Sequence, residues 1–184
     1  MNGSSIVERL WITVLAASFA LAVATSARPA SPNPPPNLVQ ITDRLTTAGQ
    51  PSAEWLRTLQ AQGYEAVVYV APPNAHDAVR DEQHIVAGQG LAFVNLPIDF
   101  ARPTERDFEL FRGVLRGLAS RRVLVHCQIN LRASSLVFLY RAIELGEDPE
   151  RAYEALSRVW KPDATWHAFI ASQLARHAIG FTPY

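Results

Sequence analysis

Short apolar runs bounded by glycine or proline alternate with longer segments of helical periodicity along most of the chain. The runs at residues 66–70 (AVVYV), 91–96 (LAFVNL) and 123–125 (VLV) have the length and continuous apolar character of strands buried on both faces. Strands that alternate with helical segments are typical of a sheet covered by helices. The sequence therefore predicts an α/β fold, namely a single three-layer domain with a central, mostly parallel sheet flanked by helices.

The helical segments are identified by apolar spacing and by residues that favour helix ends. Thr104 with Asp107 has the spacing of a capping pair, and Asp148 with Pro149 has that of an N-cap and a first-turn proline. One predicted helix begins after Ser52 and stops at Gly63. The others cover residues 77–88 and 105–119, run from the Cys127 turn to Gly146, start at Asp148, and cover residues 165–179. With a short strand at residues 46–48, the domain is predicted to begin strand, helix, strand, helix, strand.

The N-terminal residues have the organisation of a secretory leader. Residues 10–24 are nearly all apolar, follow Arg9, and are followed by the small residues Thr25, Ser26 and Ala27. A membrane-spanning helix needs about 20 apolar residues, so this run is short for a permanent span. We expect residues 1–27 to be a signal peptide and the protein to be exported, periplasmic or secreted, with no stable membrane insertion after cleavage. An uncleaved membrane anchor is the alternative.

A proline-rich stretch separates the predicted leader from the domain. Residues 28–37 (RPASPNPPPN) lack apolar side chains to bury, which is typical of an extended linker. The folded domain is therefore predicted to cover residues 38–184.

Charge and cysteine content exclude several classes of protein. Lysine plus arginine and aspartate plus glutamate both number 17, so the chain has no basic footprint and no nucleic-acid partner is expected. With one cysteine, Cys127, the chain can form neither a disulfide scaffold nor an all-cysteine zinc site. No metal site is predicted. Cys127 is consequently either a small buried hydrophobe or a nucleophile.

The predicted position of Cys127 favours the nucleophile. At the end of a strand and the start of a helix, a thiol faces unpaired backbone N–H groups and the positive end of the helix dipole, which stabilise a thiolate. The same N–H groups bind oxyanions. Arg132 is five positions further on and can place its planar fork against two phosphate or sulfate oxygens, while Ser134 can donate a hydroxyl to the thiolate.

The segment VHCQINLRAS, residues 125–134, resembles the phosphate-binding loop of the cysteine-dependent protein tyrosine phosphatase superfamily, dual-specificity type. That loop reads His, Cys, five residues, Arg, then Ser or Thr. Residues 41–52 (ITDRLTTAGQPS), 95–104 (NLPIDFARPT) and 159–166 (VWKPDATW) resemble a branch of small bacterial phosphatase-like proteins. The resemblance implies the phosphatase fold, with the cysteine loop between a strand and a helix.

The resemblance also implies a function, which is hydrolysis of a phosphomonoester through a phosphocysteine without metal or cofactor. The substrate would be a phosphorylated small molecule or a phosphoprotein. Cys127 would be the nucleophile, Asp99 the general acid and Arg132 the phosphate-binding cation, with His126 bracing the loop. The remaining substrate-binding positions are Gln128, Ile129, Asn130, Leu131 and Ser134.

Four residues separate Cys127 from Arg132, whereas the phosphatase pattern has five, and two registers follow. In one, the loop is a residue shorter and Arg132 keeps the arginine role. In the other, Asn130 takes the usual glycine position, which its tolerance of left-handed backbone allows, and Ala133 stands where the arginine should be. A four-residue loop is also the length found in rhodanese-type sulfurtransferases. The alternatives are therefore sulfur transfer, or phosphate binding without turnover by a pseudophosphatase.

Overall fold

The structure of the protein is a computed structural model in which residues 32–184 are described. The predicted signal peptide, residues 1–27, and the first part of the predicted linker lie outside the described residues. Between residues 32 and 184, no helix is both long enough and apolar enough to cross a membrane.

The described part of the chain forms a five-stranded sheet with the strand order β1-β2-β5-β3-β4. Only β1 and β2 are antiparallel, and β2, β5, β3 and β4 pair in parallel. The central strand β5 aligns His126 with Ala48 on one side and with Tyr69 on the other. The strands are β1 (Val39–Gln40), β2 (Leu45–Ala48), β3 (Ala66–Tyr69), β4 (Ala92–Asn95) and β5 (Val123–His126). The predicted fold class is confirmed.

Six helices cover the two faces of this sheet. Thr104 and Asp107 form the predicted capping box, and Asp148 caps the helix that starts with Pro149. The helices are α1 (Ala53–Leu56), α2 (Glu82–Ala87), α3 (Glu105–Gly117), α4 (Leu131–Ile143), α5 (Pro149–Ser157) and α6 (Ala164–Arg176). Helices α1 and α2 contribute to the core on one face, and α3 to α6 contribute to the core on the other.

The alternation of side chains along the strands divides the core into these two layers. Val67 and Leu124 face α1 and α2, whereas Val68 and Val125 face the larger core built with α3 to α6. Helix α4 is the most enclosed of the described helices, with 11 of its 13 residues buried. The residues that follow β5 are thus held between a buried strand and a buried helix.

Three secondary-structure predictions need correction. The helix predicted over residues 77–88 begins only at Glu82, and the chain forms turns between residues 76 and 81. The buried face of the helix consists of Glu82 and Val86. Helix α1 ends at Leu56, and turns continue the chain to Gly63, whose left-handed backbone (φ 80°) ends them. The two-residue strand β1 was not predicted, since it is too short to produce a pattern.

Candidate active site

The turn between β5 and α4 carries Cys127 to the carboxyl ends of the parallel strands, where open α/β sheets bind their ligands. A cleft of about 300 Å³ lies at this turn. Of the predicted site residues, the structure brings Cys127, Gln128, Ile129, Leu131 and Arg132 to this cleft. His76, Asp77 and Phe100 complete its lining.

The backbone of the loop leaves several donors free. The N–H of Cys127 donates to the Ala48 carbonyl at 3.2 Å, and the loop in turn accepts a hydrogen bond at the Gln128 carbonyl from the N–H of Gln50 at 2.8 Å. Within residues 32–184, the N–H groups of Gln128, Ile129, Leu131 and Arg132 have no protein acceptor. Such groups at a helix start are suited to bind an oxyanion. The nucleophile therefore lies beside a set of unpaired donors.

Arg132 places a nearly buried cation in the same cleft. The residue is only 7% exposed, and its guanidinium carbon lies 5.2 Å from the centre of the Phe100 ring. Its one side-chain hydrogen bond is a long contact of 3.4 Å from Nη1 to Gln128 Oε1. No carboxylate within residues 32–184 forms an ion pair with it. A shielded guanidinium without a protein counterion is arranged for an anionic ligand.

These positions distinguish the two registers of the loop. Arg132 reaches the cleft, whereas Ala133 is fully buried in the core. The geometry is therefore that of the loop shortened by one residue. Asn130 nevertheless has the left-handed backbone anticipated for the other register, with φ 72°. The shortened loop thus combines the arginine position of one register with the asparagine conformation of the other.

The Asn130 side chain supports the loop from beneath and does not line the cleft. It is fully buried, and its Nδ2 donates to the Asn37 carbonyl at 2.6 Å and to Thr47 Oγ1 at 3.1 Å. Asn37 Nδ2 donates in return to the Ile129 carbonyl at 2.9 Å. The substrate contact expected of the Asn130 side chain is thus replaced by a structural one, because the left-handed turn points it toward β2 and the end of the predicted linker.

Gly49 allows this close packing. A Cβ atom at Gly49 would lie 2.8 Å from the Gln128 carbonyl oxygen and 3.0 Å from the Pro36 carbonyl oxygen. The Gly49 N–H also donates to the latter atom at 2.7 Å. Only glycine lets the turn after β2 lie between the predicted linker and the cysteine loop.

Ser134 differs from its expected role. Its hydroxyl donates to the Leu131 carbonyl at 3.2 Å, one turn back along α4, and the residue is 4% exposed. Inside a helix, a serine hydroxyl commonly bonds to a carbonyl of the preceding turn. Ser134 does not line the cleft, and its hydroxyl is directed to the helix backbone instead of the Cys127 thiol.

Asp99 lies outside the cleft lining, although its neighbour Phe100 belongs to it. The Asp99 carboxylate accepts a hydrogen bond from the Ala101 N–H at 2.9 Å and pairs with Arg102 Nε at 3.2 Å. The Ala101 N–H, followed by Arg102, lowers the pKa of Asp99. The following residue is fixed by a hydrogen bond from Trp166 Nε1 to the Phe100 carbonyl at 3.0 Å. A role for Asp99 in the cleft requires its carboxylate to leave Arg102.

We expect Arg102→Ala to move the high-pH limb of activity upward. A general acid must be protonated, so activity falls as the pH rises through the pKa of Asp99. Because Arg102 lowers this pKa, its removal should raise it and keep Asp99 protonated to higher pH. The dependence of kcat/KM on pH measures the effect. Arg106→Ala, which changes an exposed arginine without an Asp99 contact, is the control. An identical limb in Arg102→Ala and wild type would show that Arg102 does not control the ionisation that limits activity.

His126 is buried behind the nucleophile, as the predicted bracing role requires. Its ring stacks on that of Tyr69 at a centroid distance of 4.7 Å, and its Nε2 lies 2.6 Å from Glu82 Oε1. Burial, followed by the nearby Glu82 charge, raises the pKa of Tyr69 to about 12. Tyr69 is thus a neutral platform, and its hydroxyl donates to the Pro72 carbonyl at 3.1 Å.

Sequence reasoning missed three residues that support the loop, namely Asn37, Thr47 and Glu82. Each contacts the loop or His126 across at least 44 positions of the chain, so no local spacing indicates them. Glu82 alone leaves a signal, since a glutamate at a helix position that should face the sheet is unusual. No group of three potential metal ligands occurs within residues 32–184.

Most of this chain is similar in sequence to known proteins. The model described as "DSP-PTPase phosphatase fused to NAD+ Kinase" matches residues 37–168. The "Beta-lactamase hydrolase-like protein" of Xylella fastidiosa (strain Temecula1) is 30% identical over 156 residues, which are 79% of this chain and 35% of that protein. The chain thus spans about a third of the length of the curated relatives that it matches.

Solved structures share the fold. The crystal structure of a "Putative phosphatase (DUF442)" from Shewanella putrefaciens CN-32 is 27% identical, with a TM-score of 0.71 over 77% of this chain and 91% of that one. TpbA of P. aeruginosa, solved in complex with pTyr, is 18% identical, with a TM-score of 0.59 over 78% of this chain and 91% of that one. At this lower identity, the similarity to TpbA establishes the fold alone.

Proposed function

This chain belongs to the family of dual-specificity-type, tyrosine phosphatase-like proteins, and from that membership we propose that it hydrolyses phosphate monoesters through a phosphocysteine. One observation carries the proposal. Cys127 shares a cleft with Arg132, a nearly buried guanidinium that has no carboxylate partner within residues 32–184. A thiol beside an unpaired cation and unpaired N–H donors suits attack on a phosphoryl group.

The proposed reaction has two steps. The Cys127 thiolate attacks phosphorus, the bond to the ester oxygen breaks, and Asp99 gives its proton to that oxygen. The ionised Asp99 then takes a proton from water, which attacks the phosphocysteine and releases inorganic phosphate and the thiolate. Arg132 and the N–H groups of the loop hold the phosphoryl oxygens in both steps. Chain residues supply every proton transfer.

The lining of the cleft favours a substrate with one phosphoryl group on an apolar leaving group. Arg132 is the one guanidinium among the lining residues of the described chain, and Phe100, Ile129 and Leu131 provide apolar surface beside it. Ile129 is half exposed despite its size, so it is available to contact a ligand. We infer that aryl phosphate monoesters are better substrates than polyphosphorylated ones, which need several cations.

Sulfur transfer is the second candidate, favoured by the four-residue loop and by the position of Asp99 outside the cleft. In that reaction the Cys127 thiolate takes the outer sulfur of thiosulfate, sulfite leaves, and cyanide accepts the sulfur as thiocyanate. No general acid is needed. An Asp99 substitution would therefore affect phosphate hydrolysis and leave sulfur transfer unchanged.

Measured turnover of the full chain distinguishes these functions. With reductant and chelator present, we expect hydrolysis of p-nitrophenyl phosphate and no thiocyanate from thiosulfate and cyanide. Asp99→Asn should slow hydrolysis by about 100-fold or more, the range of a lost general acid. Asp43→Asn, an exposed aspartate before β2 at the other end of the strands, should leave the rate unchanged. Thiocyanate production alone would support sulfur transfer, and phosphate binding without either product would identify a pseudophosphatase.

The cellular location is a separate proposal that rests on residues 1–27 alone. We propose that the domain acts outside the cytoplasm, in the periplasm or as a secreted protein. Fractionation of cells expressing the full chain, with N-terminal sequencing of the mature protein, tests this. A protein retained in the cytoplasm with its first 27 residues intact would contradict it.

A further inference from the structure

A carboxylate is buried directly behind the cysteine loop. Glu82, the first residue of α2, is only 3% exposed. Its Oε1 lies 2.6 Å from His126 Nε2, and its Oε2 accepts a hydrogen bond from Gln50 Nε2 at 2.9 Å. Glutamate is rarely buried to this extent without partners, because losing water around the carboxylate is costly. The proposed reaction makes no use of this group.

Both partners of Glu82 lead to the nucleophile. His126 precedes Cys127 at the end of β5, and its ring is fixed between Glu82 and the Tyr69 ring. The backbone N–H of Gln50 donates to the Gln128 carbonyl, on the other side of Cys127. Glu82 is therefore connected to the residues on both sides of the nucleophile.

The carboxylate of Glu82 lies very close to the His126 ring without forming a hydrogen bond to it. Oε1 is 2.6 Å from Nε2, yet neither of these buried atoms has a hydrogen-bond partner in the described part of the chain, and neither does His126 Nδ1. Buried polar atoms without partners are costly, so this arrangement depends on the close approach of carboxylate and imidazole. Glu82 therefore limits where the His126 ring can lie.

We propose that Glu82 is a positioning residue for the anion-binding loop. Through its 2.6 Å contact with His126 Nε2 and the hydrogen bond that it accepts from Gln50, it fixes the ends of the loop and so directs the free N–H groups of the loop and Arg132 toward an anion at the Cys127 sulfur. The inference rests on the proposed nucleophilic role of Cys127. It concerns how the loop is held in place, so it applies to any anion that reacts with the Cys127 sulfur.

Two substitutions test the contacts of the Glu82 carboxylate. Glu82→Gln keeps an oxygen that can contact His126 Nε2, and its new NH₂ group can donate to Gln50 Oε1, a buried atom without a partner in the described structure. Glu82→Ala removes both contacts. The loop should therefore retain its arrangement in Glu82→Gln and lose it in Glu82→Ala.

Glu147→Ala is the matched control for stability. Glu147 forms hydrogen bonds of 2.6 and 2.8 Å with Arg141, a residue that is itself 7% exposed. It borders a separate cavity with Leu45 and Val123, the first residues of their strands, at the opposite end of the sheet from Cys127. Its loss should reduce stability without changing the cysteine loop.

Alkylation of Cys127 in the full chain provides a readout that does not depend on turnover. Cys127 is the one cysteine of the sequence, and its sulfur displaces iodide from either iodoacetate, an anion, or iodoacetamide, which is neutral. The rate with iodoacetate is divided by the rate with iodoacetamide, and this ratio is divided by the same ratio for the urea-unfolded chain. The resulting normalised ratio measures how strongly the folded loop attracts an anion. Unfolding midpoints are measured for all variants so that every rate is taken on folded protein.

We expect a normalised ratio well above one in the wild type and a fall of about 10-fold or more in Glu82→Ala, the size often seen when a residue that orients a ligand-binding group is removed. Glu82→Gln can keep both contacts, and Glu147→Ala removes contacts with Arg141 far from Cys127, so both variants should stay within about twofold of wild type. An unchanged ratio in Glu82→Ala, or an equal fall in Glu147→Ala, overturns the proposal. So does a wild-type ratio near one.

Gln50→Ala keeps the inference testable if Glu82→Ala does not fold. It removes the hydrogen bond to Glu82 and leaves the contact of Glu82 with His126, so it should lower the ratio by a smaller factor than Glu82→Ala. An unchanged ratio overturns the proposal. Hydrolysis of p-nitrophenyl phosphate by the wild type is measured in parallel. Absent hydrolysis with a high wild-type ratio contradicts the proposed phosphatase function and leaves the role of Glu82 to be decided by the variants.

Discussion

Replacing Cys127 with serine should reduce hydrolysis of p-nitrophenyl phosphate by at least about 10⁴-fold, because removing the nucleophile of a covalent mechanism removes most of its rate advantage. A serine hydroxyl is not ionised at neutral pH, and no described residue forms a hydrogen bond with the Cys127 side chain that could take its proton. Steady-state rates of purified wild type and Cys127→Ser, measured under reducing conditions, give the factor.

Phosphate binding separates lost chemistry from a damaged loop. The loop N–H groups and Arg132 do not depend on the sulfur, so Cys127→Ser should bind inorganic phosphate with an affinity similar to that of wild type, measured by calorimetry. Its unfolding midpoint should also be similar, since serine and cysteine differ little in size. Residual hydrolysis above about 1% of wild type would contradict a phosphocysteine intermediate, because truncating a nucleophile leaves far less.

Arg132→Lys should lower kcat/KM by about 10²- to 10³-fold, the usual effect of losing a main stabiliser of transition-state charge. Lysine keeps the charge but lacks the planar fork that binds two oxygens at once. Its ammonium would also lose the position over the Phe100 ring that the guanidinium occupies. The loss should appear both in kcat and in the affinity for inorganic phosphate, since the transition state and bound phosphate both carry negative charge on the phosphoryl oxygens.

An exposed arginine provides the comparison for this prediction. Arg151, on α5, is 79% exposed at its side chain and lies outside the cleft, so Arg151→Lys should leave kcat/KM unchanged. Normal activity in Arg132→Lys would show that the backbone N–H groups alone bind the phosphoryl oxygens. The four-residue spacing would then have displaced the arginine from its role, as the alternative register implies.

The sheet and its order of elements were predictable because buried strands and amphipathic helices leave local patterns. The run of apolar residues in β3 and the spacing of Phe108 and Phe111 in α3 reflect burial that each segment requires by itself. The start of α2 was not predictable, since Glu82 begins that helix with a buried charge whose partners, His126 and Gln50, are distant in sequence. Sequence periodicity carries no information about such pairs.

In the candidate site, too, the contacts between neighbouring residues of the chain were more predictable than those between distant ones. Cys127 and Arg132 share one loop, so their spacing alone predicts that they meet, and the cleft contains both. Ser134 is also close in sequence, yet its hydroxyl bonds to the Leu131 carbonyl, because the helix offers a nearer acceptor than the thiol. The position of Asp99 depends on Arg102 and on the Trp166 contact to Phe100, and neither is visible from spacing.

The contacts of Pro36 and Asn37 join the end of the predicted linker to the cysteine loop. The sequence boundary at residue 38 would cut away the carbonyl that binds the Gly49 N–H and both groups that bind Asn130 and Ile129. Among the described residues, the Asn130 side chain would then keep only its bond to Thr47, and the left-handed turn would lose its contacts with Asn37. The last residues of the predicted linker therefore support the cysteine loop. Any module exchanged or fused at this junction should carry them along.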